Sequence, residues 1–345
     1  MAKINVESGG TILSSGLLQL ASGVAMSSTP TNVTDQSNTA SPLKLSTIDV
    51  TNPGAGTSTT SAAFGTNALI VNTTGADNAA FGYNALTANT TGSSNSAIGH
   101  EALFSNLSAS FNTAVGKHAA RFNTTGAGNT AIGALAMRLN STGTGNTALG
   151  YVALENNTGS NNTALGYRSL RANTSGQYNV ASGVDALLST TTGSNNTANG
   201  YQALNSNITG GNNTAIGYNA LFSNVASNNV AVGFEAGFSN TTSVGIVGVG
   251  YQSLRLSTGE LNTAIGYLAG NNVTTGAYNN FIGSQQNGNV NGTSMIGVGD
   301  TATGNNQMRF GSAVIPNGAV NNEVNVSSKV WNVFINGVAQ KILLA

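Results

Sequence analysis

The chain has 345 residues, 11 basic and 11 acidic, with no net charge. Charged residues make up 6% and hydrophobic ones 39%, which excludes a highly charged disordered chain and a binder that neutralises nucleic-acid phosphates with Lys and Arg. There is no cysteine, so no disulfide framework or thiolate metal site, and no apolar run reaches the ~18 residues of a membrane span, so membrane insertion is not expected.

Residues 1–60 lack the period that dominates the rest. Lys3 is the only early positive charge and Glu7 follows it. The mildly apolar stretch 11–26 is broken by Ser14, Ser15, Gly16, Gln19, Ser22 and Gly23, unlike the continuous core of a secretion signal. Pro30, Pro42 and Pro53 all lie here, and proline rarely sits inside regular structure. Leu43, Leu45, Ile48 and Val50 predict one short strand with a slip in alternation. The segment reads as extended strands and loose chain, suited to docking on another component.

Residues 61–300 repeat. The glycine after each Ala-aliphatic pair falls at Gly65, Gly82, Gly99, Gly116, Gly133, Gly150, Gly166, Gly183, Gly200, Gly217, Gly233, Gly250, Gly266 and Gly283, ten intervals being 17 residues and three 16. The unit is Asn-Thr-Ala-(Ile/Val/Leu)-Gly-Tyr-x-Ala-Leu-x-x-Asn-Thr-Thr-Gly-Ser-Asn, as in Asn213–Leu221. So short a fixed period means stacked coils. Thr-Ala-Ile-Gly gives a β signal, Tyr-x-Ala-Leu a second short strand or one helical turn, and the Asn/Thr/Ser/Gly end a turn. The predicted fold is an all-β solenoid, one coil per repeat, its coils about 4.8 Å apart.

In each strand Thr214 and Ile216 share one face and Ala215 takes the other. A strand that is apolar or small on both faces is covered on both. The alanine column, from Ala63 through Ala215 to Ala264 with Gly248 as its exception, suits close approach of a second chain. The expectation is a homo-oligomer packed along its length, with a threefold arrangement as the natural closed form. Ser182 and Asn199 break the aliphatic position. Three Asn199 side chains meeting on an axis would make a polar layer; an asparagine ladder inside each coil is the alternative.

Tyr83, Tyr151, Tyr167, Tyr201, Tyr218, Phe234, Tyr251 and Tyr267 follow the marked glycine. They read as inter-coil stacking, with a glycan-binding ladder as the sharper reading. The regular threonines (Thr113, Thr130, Thr147, Thr163, Thr197, Thr214 and Thr263) raise ice binding, but sharing a face with Ile or Val suits a packed interior better. Glu101, Asp185 and Glu235 share a repeat position but lie whole coils apart, too far for a glycosidase pair. His100 and His118 occupy successive positions after the glycine, read as facing opposite ways. No catalytic, cofactor-binding or metal-ligating residues are therefore expected.

Beyond residue 300 the period lapses. Asn306–Gly311 predicts a last strand. Val330–Ile342, with Asn336-Gly337 at its centre, predicts a hairpin with a type I′ turn, placing Trp331, Val333, Ile335, Val338 and Ile342 on one face. Trp331, Phe334, Asn336 and Gly337 read as a cap or lock over the open end, or as a distal contact tip.

The Asn-Thr-Ala-Ile-Gly-Tyr-x-Ala-Leu units resemble the head repeats of trimeric autotransporter adhesins of the YadA type, over roughly two thirds of the chain. Those use a related Asn-Ser-x-Ala-Ile-Gly core in a shorter coil of about 14 residues. The resemblance implies a left-handed parallel β-roll with three chains around one axis. Similar arrays look like those of bacteriophage tail fibre and whisker proteins. An autotransporter carries a secretion signal and a C-terminal barrel anchor, and neither pattern is read here. The expectation is thus a non-enzymatic virion fibre, assembled in the host cytoplasm. Its partners would be copies of itself, other virion proteins at the N-terminal end, and a host surface glycan or protein receptor. A bacterial surface adhesin or a structural filament subunit is the alternative.

Overall fold

In the computed structural model, residues 60–298 and Asn305 are described, together with the backbone of short strands outside that range. The centre is one sixteen-stranded sheet whose strands follow in strict chain order, from Ala62–Phe64 to Met308–Ser312. All neighbours are parallel and in step: Thr197 pairs with Thr214, Ala198 with Ala215 and Asn199 with Ile216. Each coil contributes one strand, usually of three residues, as in Thr214–Ile216. This is the all-β solenoid expected from the repeat, without a helix among the described residues. At about 4.8 Å per strand its sheet is roughly 70 Å long.

The Tyr-x-Ala-Leu stretch is neither a second strand nor a helical turn. Asn219 and Leu221 both take left-handed conformations, at φ 53° and 50°, which cost an L-residue about 1–2 kcal/mol each. The inter-coil ladder compensates. The Asn219 amide donates to Tyr201 O of the preceding coil at 2.9 Å, and the Leu221 amide donates to Ala236 O of the next at 2.9 Å. Gly217, at φ 135°, turns the chain out of the strand. A Cβ there would sit 2.6 Å from the Gly233 carbonyl carbon in the next coil, so the repeat admits only glycine.

The core reverses the expected use of the alanine column. Ala215 is fully buried inside the coil with Ala220 and Leu221, whereas Ile216 is 40% exposed. The interior is too narrow for two large layers, so a small strand residue faces Leu from the opposite wall. The repeat shows the same limit where it varies. Gly270 replaces the usual Leu where Phe281 replaces the usual Ala; a Cβ on Gly270 would lie 2.9 Å from Phe281 Cδ2. Gly237 replaces Leu where Ile246 replaces the usual Asn, with 3.3 Å between such a Cβ and Ile246 Cδ1. Volume is conserved between packed residues of adjacent coils, as close packing requires.

Two asparagine columns close the sides of this core. In one, Asn129 Nδ2 donates to Gly143 O at 2.8 Å, while Asn129 Oδ1 accepts from Asn146 N at 3.0 Å and Asn146 Nδ2 at 3.1 Å. In the other, Asn106 Nδ2 donates to Asn89 Oδ1 at 2.8 Å and to Ala109 O at 2.9 Å. An amide both donates and accepts, so it bonds the coil before it, the coil after it and its own turn.

At the ends, the expected strand over 306–311 appears as Met308–Ser312 and extends the same sheet. Its neighbours step from Asn280 to Ser294 to Met308, so the last coils shorten from 17 residues to 14. The hairpin is present: Val330–Ile335 pairs antiparallel with Val338–Leu343, with Trp331 opposite Ile342 and Ile335 opposite Val338. Phe334 lies within its first strand, while Asn336 and Gly337 fall outside the described residues. Near the N-terminus the predicted strand is Ala40–Leu45, and it runs through Pro42. It pairs antiparallel with Thr31–Thr34 across an irregular register, a setting that tolerates a residue without an amide donor. Ile48 and Val50 lie outside the described residues.

Candidate functional site

The face that looks outward from the sheet is built from the first and third residues of each strand. Phe64, Phe81, Ile98, Ile132, Leu149, Leu165, Ile216, Ile265, Ile282 and Ile296 are exposed, between 37% and 47%. Val115, Val232 and Val249 continue the column, half-buried. The companion column carries Thr113, Thr130, Thr147, Thr163, Thr197, Thr214 and Thr263, all half-buried. The outward surface of the sheet is therefore the Thr/Ile face, while the alanine column faces the coil interior. The argument that Thr beside Ile marks a packed interior fails for the same reason.

Ser182 and Asn199 sit in this outer column, Asn199 exposed. The idea of an asparagine ladder inside the coil at Asn199 is overturned: the interior ladders use other asparagines. Asn199 instead interrupts an apolar stripe with an amide.

Around the glycine corner lies the aromatic column. Tyr201, Tyr218, Phe234, Tyr251 and Tyr267 form one continuous stack, with centroids 5.1, 5.1, 5.3 and 5.3 Å apart and planes within 14° of parallel. Tyr151 and Tyr167 form a separate pair at 5.9 Å. These rings are partly exposed, but within the long stack both faces of Tyr218, Phe234 and Tyr251 are covered by neighbours. A sugar stacks on a ring face, and those three rings leave only their edges open. The stacking reading of this column holds.

Among the described residues, Glu101, Glu155, Asp185 and Glu235 are held in ion pairs. Arg168 donates to Asp185 through Nε and Nη2, each at 2.7 Å. Arg255 meets Glu235 at 2.7 Å, and Glu155 is held between Arg138 at 3.1 Å and Arg171 at 3.0 Å. The Asp185 hydrogen bond raises the Arg168 pKa further. Arg168 also lies over the Tyr167 ring, 4.8 Å from its centroid. These pairs join residues 16 to 20 apart. That acid-to-arginine spacing, about one coil, was the overlooked signal in the sequence.

One cluster differs from the sequence expectation. His100 and His118 do not face apart: their ring centroids are 5.3 Å apart, and His100 also stacks on Tyr83 at 5.2 Å. The strand ends at the marked glycine, so strict alternation stops there, and the next two residues both line the outer corner. Glu101 lies beside His118, with Oε2 3.2 Å from His118 Nε2, and Arg121 Nε donates to the same oxygen at 2.5 Å. Burial pushes the Glu101 carboxyl up, but the Arg121 hydrogen bond and charge, aided by both histidines, hold it below its ordinary value. Burial lowers the His118 pKa, as do Arg121, Lys117 and His100, and together they outweigh the pull of Glu101.

No protein-family model, curated protein or solved structure matches the chain. No helix among the described residues is long and apolar enough to cross a membrane.

Proposed function

We propose that this chain is the subunit of a homotrimeric, non-enzymatic fibre, and that the Thr/Ile face of its sheet is where the copies meet. The observation that carries this reading is the exposed aliphatic column running along nearly the whole sheet. Fully burying one Ile or Leu stabilises by about 1.5–3 kcal/mol, so the two fifths still exposed on each of the ten exposed side chains offer roughly 6–12 kcal/mol per chain. That is of the same order as the cost of association. A second copy fits because it presents the same rungs at the same spacing, and the strands of this face carry no charged residue between Ala62 and Ile282. In this assembly Asn199 forms the polar layer on the axis.

The repeat's likeness to YadA-type heads and phage fibre arrays supports a phage tail fibre or whisker that helps attach the virion to its host. The N-terminal segment would be the attachment end and the C-terminal hairpin the distal one. Electron cryo-microscopy of the purified full chain tests the assembly. Three solenoids with their sheets turned inward are expected; a lone solenoid, or sheets turned outward, refutes it.

The outward Thr columns favour one second reading. A regular face of Thr beside Ile or Val is the kind of surface that orders water, so an unassembled chain would bind ice. Thermal hysteresis in a chain that is monomeric in solution would select that reading over the fibre.

A further inference from the structure

We propose that His100, Glu101 and His118 form a binding site for one divalent transition-metal ion of the zinc or nickel class. The ligand atoms of these three residues all lie within 4.8 Å of one another. Bond lengths near 2.0–2.2 Å require them to close by about 1 Å, a movement within reach of partly exposed rings. The backbone already sets the spacing. The Glu101 amide donates to Tyr83 O at 2.8 Å, and the His118 amide donates to His100 O at 2.8 Å. Both ligand-bearing coils are thus fixed in the inter-coil ladder.

The donor set decides the class of ion. Two imidazoles and one carboxylate suit Zn²⁺, Ni²⁺, Co²⁺ or Cu²⁺, whereas Ca²⁺ and Mg²⁺ want oxygen ligands. Arg121 grips one oxygen of Glu101 and so orients the carboxylate while the second oxygen turns to the ion. Lys117 and Arg121 place positive charge nearby, so the affinity is moderate and water completes the shell.

The repeat supplies substitutions that its own fold already accepts. Tyr stands at the position of His100 in other coils, as Tyr83 does, and Asn stands at that of His118, as Asn84 and Asn219 do. The test is titration of the full chain, stripped with chelator, with ZnCl₂ and NiCl₂ at neutral pH by isothermal calorimetry. One ion per chain is expected for the natural sequence, with binding at least about tenfold weaker in His100→Tyr and in His118→Asn. Circular dichroism melts would match across all three proteins. No saturable binding by the natural chain, or undiminished one-to-one binding by both variants, overturns the proposal.

Discussion

Replacing Asn129 by alanine tests whether the asparagine columns hold the coils together. The change deletes the bond from Asn129 Nδ2 to Gly143 O and both bonds that Asn129 Oδ1 accepts from Asn146. Gly143 O keeps a donor in Asn140 Nδ2, and Asn146 Nδ2 keeps Gly159 O. The Asn146 backbone amide loses its only partner, in a residue that is fully buried. An orphaned buried donor costs about 1–3 kcal/mol, and each of the other two bonds about 0.5–1.5 kcal/mol. The expected loss is therefore about 2–6 kcal/mol. Thr125→Ala, an exposed position four residues earlier, serves as the control and stays within about 0.5 kcal/mol. Urea unfolding followed by circular dichroism reads both. A loss below about 1 kcal/mol for Asn129→Ala would show that the columns fill space without bonding the stack.

Other outcomes follow from the same geometry. Phe281→Ala leaves a cavity worth about 3–5 kcal/mol; adding Gly270→Leu restores the usual pairing and recovers more than half of that in a double-mutant cycle of urea midpoints. Thr190 stands where neighbouring coils carry Asn, and Asn173 Oδ1 has no partner there. Thr190→Asn joins the two halves of the column and raises stability by about 0.5–1.5 kcal/mol in the same assay. His118, facing Glu101, Arg121, Lys117 and His100, holds its proton less tightly folded than unfolded. Its contribution is complete above pH 6.5, the ordinary value, and is lost as pH falls through the lower folded one; His118→Asn flattens that part of the stability-versus-pH curve.

Much of the fold could be read from the glycine marks, because a coil that must turn against its neighbour at one point tolerates only Gly217 and its equivalents. The strand at Thr214–Ile216 and the hairpin around 336–337 could be read for similar reasons: each rests on local steric rules. Which face of the strand looks inward could not. Thr-Ala-Ile alternates in the same way whichever side is buried, and only the narrowness of the coil decides that Ala215 goes in and Ile216 out. The asparagine columns were hidden for another reason. Asn213 and Asn224 look like turn residues in one coil, and their pairing exists only between coils. The His100–Glu101–His118 cluster escaped because strand alternation was carried past Gly99, where the strand had already ended.

The central claim is that the Thr/Ile face joins copies of the chain. Multi-angle light scattering of the purified full chain, beside an Ile132→Asp, Ile216→Asp, Ile265→Asp variant, measures it most directly. The natural chain is expected at three times the mass of one subunit and the variant at the mass of one, with its circular dichroism unchanged. A natural chain that runs as a single subunit would contradict the claim.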